Sequence, residues 1–73
     1  MMQAINLART IIVNGDPVAT RAGTLAELLS ELGHGGQRVA TARNGDFVPE
    51  RARAATRIEH DDRIEIVSPR HGG

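Results

Sequence analysis

The residues with the clearest chemical capacity are the last two of the sequence, Gly72-Gly73. Glycine has no Cβ, so a glycine pair can enter a narrow channel and adopt any backbone angle. The α-carboxylate of Gly73 is therefore the least hindered on the chain. When a partner enzyme holds ATP beside it, that carboxylate can attack the α-phosphate. Gly72, His71 and Arg70 are then the segment that enters the partner's site. From Ser68 to Gly73 an extended tail would reach roughly 20 Å at ~3.3–3.6 Å per residue. Pro69 and the absence of any periodicity argue against a regular element there.

The remaining side chains offer little competing chemistry. There is no cysteine among the 73 residues, which excludes a disulfide framework, a thiol nucleophile and a Cys-based zinc site. There is no lysine either, since all nine basic residues are arginine, so Schiff-base chemistry is excluded. His34, His60 and His71 are spaced like no metal-ligand motif and are read as solvent-exposed, with no metal expected. Asp61-Asp62 is read as a solvated turn rather than a cation site. Arg51, Arg53 and Arg57 are read as a solvated connector. No residue is placed as a general acid, base or side-chain nucleophile, so the chain is not expected to be an enzyme.

Nine acidic residues balance the nine arginines, giving zero formal net charge at pH 7. With one Phe and no Trp or Tyr, the chain lacks both the basic field and the stacking platforms of a nucleic-acid binder. Its longest apolar run, Ile11-Ile12-Val13, is far too short to span a membrane. Residues 1–13 lack a basic leader and an unbroken apolar stretch, so no signal peptide is expected and the cytoplasm is the default compartment.

The elements that must carry the tail are legible in outline. Thr10–Asn14 reads as a strand, Asn14-Gly15-Asp16 as a hairpin turn, and Pro17–Arg21 as the returning strand. Thr24-Leu25-Ala26-Glu27 is a capping box, followed by Leu25, Leu28, Leu29 and Leu32 on one helical face. Gly33 stands where a left-handed C-cap belongs. Gln37–Arg43 reads as a strand whose Ala40 and Ala42 would let the helix approach closely. Asn44-Gly45-Asp46 repeats the hairpin signal, and Phe47-Val48-Pro49 is a short returning strand. Glu50–Ile58 is an irregular connection with room for one helical turn. Arg63–Val67 alternates strictly, with Ile64 and Ile66 on one face.

Hairpin, helix, hairpin and strand define a two-layer α+β domain. The last strand inserts beside the first in parallel, because the intervening helix supplies the crossover. This is a β-grasp, or ubiquitin-like, fold with a mixed sheet of four or five strands and one main helix on one face. Residues 1–9 are expected to be an N-terminal extension, 10–67 the domain and 68–73 a flexible tail. The face without a helix is expected to expose a small apolar patch of Ile12, Val39, Thr41 and Val67, suited to docking a partner.

In order and spacing these stretches resemble the ThiS family, the ubiquitin-like sulfur carriers of thiamine biosynthesis. The matching residues are Val13–Asp16, Thr24–Gly33, Val39–Pro49, Asp62–Val67 and the terminal Gly72-Gly73, so the resemblance spans Thr10–Gly73. It implies that an E1-like adenylyltransferase (ThiF-type) uses ATP to convert the Gly73 carboxylate to an acyl-adenylate. Sulfur mobilised by a cysteine desulfurase then displaces AMP and leaves a C-terminal thiocarboxylate. A thiazole synthase (ThiG-type) consumes that sulfur in building the thiazole ring. The carrier itself holds no stable cofactor. Three features depart from the family pattern: the stretch Met1–Arg9 precedes the usual start, Asp61 stands where a glycine is expected, and Arg70-His71 precedes the diglycine. Two other readings stay open at this level, a sulfur carrier for molybdopterin or another pathway, and a ubiquitin-like binding module without tail chemistry.

Overall fold

The computed structural model of the chain describes residues 8–68. Two hairpins of the same design open its two halves. Strand β1 (Arg9–Val13) returns as β2 (Asp16–Thr20), and β3 (Ala40–Arg43) returns as β4 (Asp46–Val48). Each loop is an Asn-Gly pair with positive φ at both residues, 50° and 89° for Asn14-Gly15 and 51° and 89° for Asn44-Gly45. A two-residue turn of this hand matches the right-handed twist of the strands, and Asn and Gly are the residues that adopt it at least cost. It sets the registers Val13↔Asp16 and Arg43↔Asp46.

Helix α1 (Leu25–Glu31) begins and ends on identifiable caps. The Glu27 N–H donates to the Thr24 hydroxyl at 3.2 Å. The Glu27 carboxylate reaches one residue further back than a standard capping box and accepts from the Gly23 N–H at 2.7 Å. At the other end Gly33 has φ 88°. Its N–H donates to the Ser30 carbonyl and the His34 N–H to the Leu29 carbonyl, the pair of bonds of a Schellman motif. Seven residues make a weak helix in isolation. Its apolar stripe holds it in place, with Leu25, Leu28 and Leu29 buried against Ile11, Ile58, Ile64 and Ile66, and Leu32 partly buried at the margin.

Strand β5 (Arg63–Val67) completes a five-stranded sheet in the order β2-β1-β5-β3-β4. It lies parallel to β1 and antiparallel to β3, which is the mixed β-grasp arrangement expected from the sequence. The connection from β4 is a 3₁₀ helix over Glu50–Ala55, longer than the single turn expected. Past it, Leu25 N–H donates to Thr56 O and Ile58 N–H to Gly23 O, tying the connection to the helix entry.

Three local expectations differ from the structure. The third strand begins at Ala40 rather than Gln37. Arg9, read as the last residue of an extension, is the first of β1, and its guanidinium donates to the Ala22 carbonyl at 2.9 Å. The alanines also face the opposite way. Ala40 and Ala42 lie on the open side of the sheet, and Val39 and Thr41 point into the core, at 8% and 2% exposure.

Candidate functional site

The tail residues Arg70, His71, Gly72 and Gly73 lie outside the described residues, so the structure speaks to the strand that leads into them. That strand, β5, is the central one of the sheet. Ile64 and Ile66 anchor its inner side in the core, while Arg63, Glu65 and Val67 alternate onto the open face. The last described residues before the tail are therefore held by a strand paired on both sides over its first half.

The open face carries an apolar patch at the tail-proximal end of the sheet. Phe47 is 69% exposed and Val67 is 58% exposed. Register puts Ala40 beside Val67 and Ala42 between Glu65 and Phe47. Ala40, Ala42, Phe47, Glu65 and Val67 surround a shallow depression of about 130 Å³. The small side chains are its floor and the two large apolar residues its walls. Ile12 is half-buried further along the same face, in a second depression with Gly15, Arg63 and Glu65. Of the four patch residues expected from sequence, Ile12 and Val67 are on this face. Val39 and Thr41 are not, and the open face takes Ala40, Ala42 and Phe47 in their place.

The inversion at β3 has a physical cause in Arg53. This arginine, expected in a solvated connector, is only 9% exposed. Its Nε donates to the Thr41 hydroxyl at 3.1 Å and its Nη2 to the Val39 carbonyl at 2.7 Å. The Thr41 hydroxyl in turn donates to the Val48 carbonyl at 2.8 Å. A buried hydroxyl is tolerated when both its donor and acceptor capacities are met, and here they are. Arg51 and Arg57 are exposed, as read.

Phe47 was missed for a related reason. The signal was available, because a two-residue turn at Asn44-Gly45 forces Phe47 to sit opposite Ala42 and Val48 opposite Thr41. With Ala42 on the inner face the same register would bury Phe47; with Ala42 on the open face it leaves Phe47 69% exposed.

Asp62 is a second correction. It is buried rather than solvated. Its Oδ2 accepts from Arg43 Nε at 2.7 Å and from the Glu59 N–H at 2.8 Å. Its Oδ1 accepts from Asn44 Nδ2 at 3.0 Å and from Arg43 Nη2 at 3.3 Å. Burial pushes the carboxyl pKa upward, but the Arg43 hydrogen bond, the Glu59 amide and the Asn44 amide outweigh it and hold the value below the usual carboxylate range. The same hydrogen bond raises the Arg43 guanidinium above its already high value. All the oxygen lone pairs point at donors of this chain, so the pair is a structural pin at the start of β5. The neighbouring Asp61 takes φ 70°, filling the left-handed position where a glycine was expected. Its N–H donates to the Thr10 carbonyl at 2.8 Å.

His34 shares a hydrogen bond with Gln37 at 3.0 Å, and His60 Nδ1 accepts from the Thr10 N–H at 3.3 Å. Among the described residues no group of three His, Asp or Glu side chains is arranged to hold a metal ion. No helix among them is long and apolar enough to cross a membrane.

The fold and this face together define a β-grasp domain with an apolar surface beside the end of its central strand. The model of the ThiS family matches residues 7–73, and the chain belongs to that family. A crystal structure of the thiamine biosynthesis protein (ThiS) from Geobacter metallireducens is similar, with 29% sequence identity and a TM-score of 0.72. That match covers 88% of this chain and 99% of the other. A search of curated proteins finds no match.

Proposed function

We propose that this protein is a sulfur carrier of thiamine biosynthesis and that Gly73 is its working residue. The observation that carries the reading is family membership over residues 7–73, which includes the terminal Gly72-Gly73. In this reading a carboxylate oxygen of Gly73 attacks the α-phosphate of ATP on an E1-like adenylating enzyme, and pyrophosphate leaves. The terminal persulfide sulfur of a cysteine desulfurase then attacks the acyl carbon and AMP departs with the bridging oxygen. A thiol reductant cleaves the S–S bond of the resulting acyl disulfide, leaving the thiocarboxylate while the thiol and the desulfurase sulfur are oxidised to a disulfide. A thiazole synthase takes the sulfur. The adenylate turns a poor electrophile into a good one, and the thiocarboxylate is a nucleophilic sulfur on an otherwise thiol-free chain.

The carrier contributes the reactive group and a surface, while the partners supply catalysis. Phe47, Val67, Ala40 and Ala42 are the apolar surface nearest the tail, and Ile12 extends it. Exposed aromatic and aliphatic side chains around a depression suit the anchor role at a protein interface. Intact mass spectrometry after incubation with the adenylating enzyme, ATP, a desulfurase, cysteine and a thiol reductant tests the reading. The expected result is exchange of one oxygen for sulfur at the C-terminus, lost on deletion of Gly73. No exchange, in an assay where an established carrier responds, would overturn it. Rescue of a molybdenum-cofactor mutant rather than a thiazole auxotroph would assign the carrier to a different pathway.

A further inference from the structure

The two hairpin asparagines do more than make turns: each also reaches across to β5, and they hold opposite ends of it. Asn44 grips the start, where its Oδ1 accepts from the Arg63 N–H at 2.9 Å. Asn14 grips the end. Its Nδ2 donates to the Ile66 carbonyl at 2.9 Å and its Oδ1 accepts from the Ile66 N–H at 2.8 Å. Parallel pairing of β1 with β5 runs through the Ile12 N–H to Asp62 O and the Asn14 N–H to Ile64 O. Beyond that point the positive φ of Asn14 turns the backbone away into the hairpin.

The N–H and C=O of Ile66 point to the same side as the Ile64 carbonyl, because strand residues two apart share an edge. They therefore face the space that β1 has vacated, and the Asn14 side-chain amide fills it. One side chain supplies the donor and the acceptor that a further residue of β1 would have supplied. The ladder thus extends to within two residues of Ser68, the first residue of the tail.

We infer that Asn14 is a positioning residue for the C-terminal tail: its amide holds the Ile66 peptide, so that the tail leaves the sheet from a set place and direction. This rests on the carrier reading given above. A reactive group at the end of a tether is delivered well only if the tether's root is fixed, since small displacements at a reacting centre cost rate. Releasing Ile66 leaves the end of β5 held on one side only, by β3, and returns to the chain freedom of the order of one residue's backbone. In rate this corresponds to a loss of about tenfold. The loss falls on kcat for adenylation, because Asn14 lies outside the Phe47–Val67 patch and the apparent KM is set by docking.

The test compares Asn14→Gly with Asn44→Gly. Glycine accepts the positive φ at both turns, so each variant keeps its hairpin. Asn14→Gly loses its two bonds to Ile66, and Asn44→Gly loses its bond to Arg63 together with its bond to Asp62. Amide hydrogen exchange is measured first. In the wild type the Ile66 amide should be protected, and in Asn14→Gly it should exchange at least about tenfold faster, while Asn44→Gly leaves it protected. An Ile66 amide that exchanges freely in the wild type overturns the proposal without any variant having to fold. Steady-state adenylation is measured second. The expected result is a kcat about tenfold lower for Asn14→Gly with KM within about twofold of wild type, and little change for Asn44→Gly. An unchanged kcat, a rise in KM alone, or equal losses in both variants would show that Asn14 serves docking or general stability and would overturn the assignment. If the wild type itself is not adenylated, the carrier reading fails, and the exchange measurement alone decides whether Asn14 holds the strand end.

Discussion

Asp62 shows how far a single residue's environment can depart from what its neighbours in sequence suggest. Beside Asp61 it reads as one of two solvated acids, yet it is buried on four hydrogen bonds that join Arg43, Asn44 and Glu59 to the start of β5. Its folded-state pKa is held below the unfolded value. The stabilisation is therefore fully present above the unfolded value of ~3.9 and is lost as pH falls through the folded value. Denaturant midpoints measured from pH 3 to 7 should fall in the acid range for the wild type. Asp62→Asn should lower stability at pH 7 by about 2 kcal/mol, with the difference from wild type shrinking below about pH 4. Arg43 is about one-third exposed, so solvent screening keeps this figure below that of a fully buried pair.

At the scale of the element, local sequence signals were reliable where the chemistry is local. The Asn-Gly turns, the Thr24 cap and the Gly33 C-cap are each satisfied within a few residues, so each could be read directly. Helix α1 is short and depends on those caps as well as on its leucine stripe. Thr24→Ala removes the hydroxyl that accepts the Glu27 N–H and should cost about 1 kcal/mol in thermal or denaturant unfolding. Leu28→Ala empties a fully buried site and should cost about 2–5 kcal/mol. The β3 strand shows the opposite case. Its alternation was plain, but Val39 with Thr41 and Ala40 with Ala42 are equally plausible inner pairs when only size and polarity are known. What decides between them is Arg53, which reaches Thr41 from the 3₁₀ helix and satisfies its hydroxyl.

At the scale of the whole molecule, one face of the sheet buries the core under α1 and the other is left open beside the end of β5. If the open face docks partners, Phe47→Glu and Val67→Glu should leave unfolding free energy within about 0.5 kcal/mol of wild type. The same changes should raise the KM for adenylation about tenfold, as expected for anchors at an interface. Unchanged KM in both variants would move the docking surface elsewhere. The sequence by itself determined what is periodic or local: two hairpins, one capped helix, an alternating last strand, and from their order the β-grasp sheet with β5 parallel to β1. The proposal of Gly73 as the working residue rests on the sequence as well, since a glycine pair is a chemical feature that needs no fold to be seen. Only the tertiary structure decided which face of β3 is inside, that Arg53 and Asp62 are buried pins rather than solvated charges, and that the Asn14 amide reaches Ile66. Those facts depend on groups 12 to 52 residues apart meeting across the sheet and its connections, and no spacing along the chain encodes such meetings.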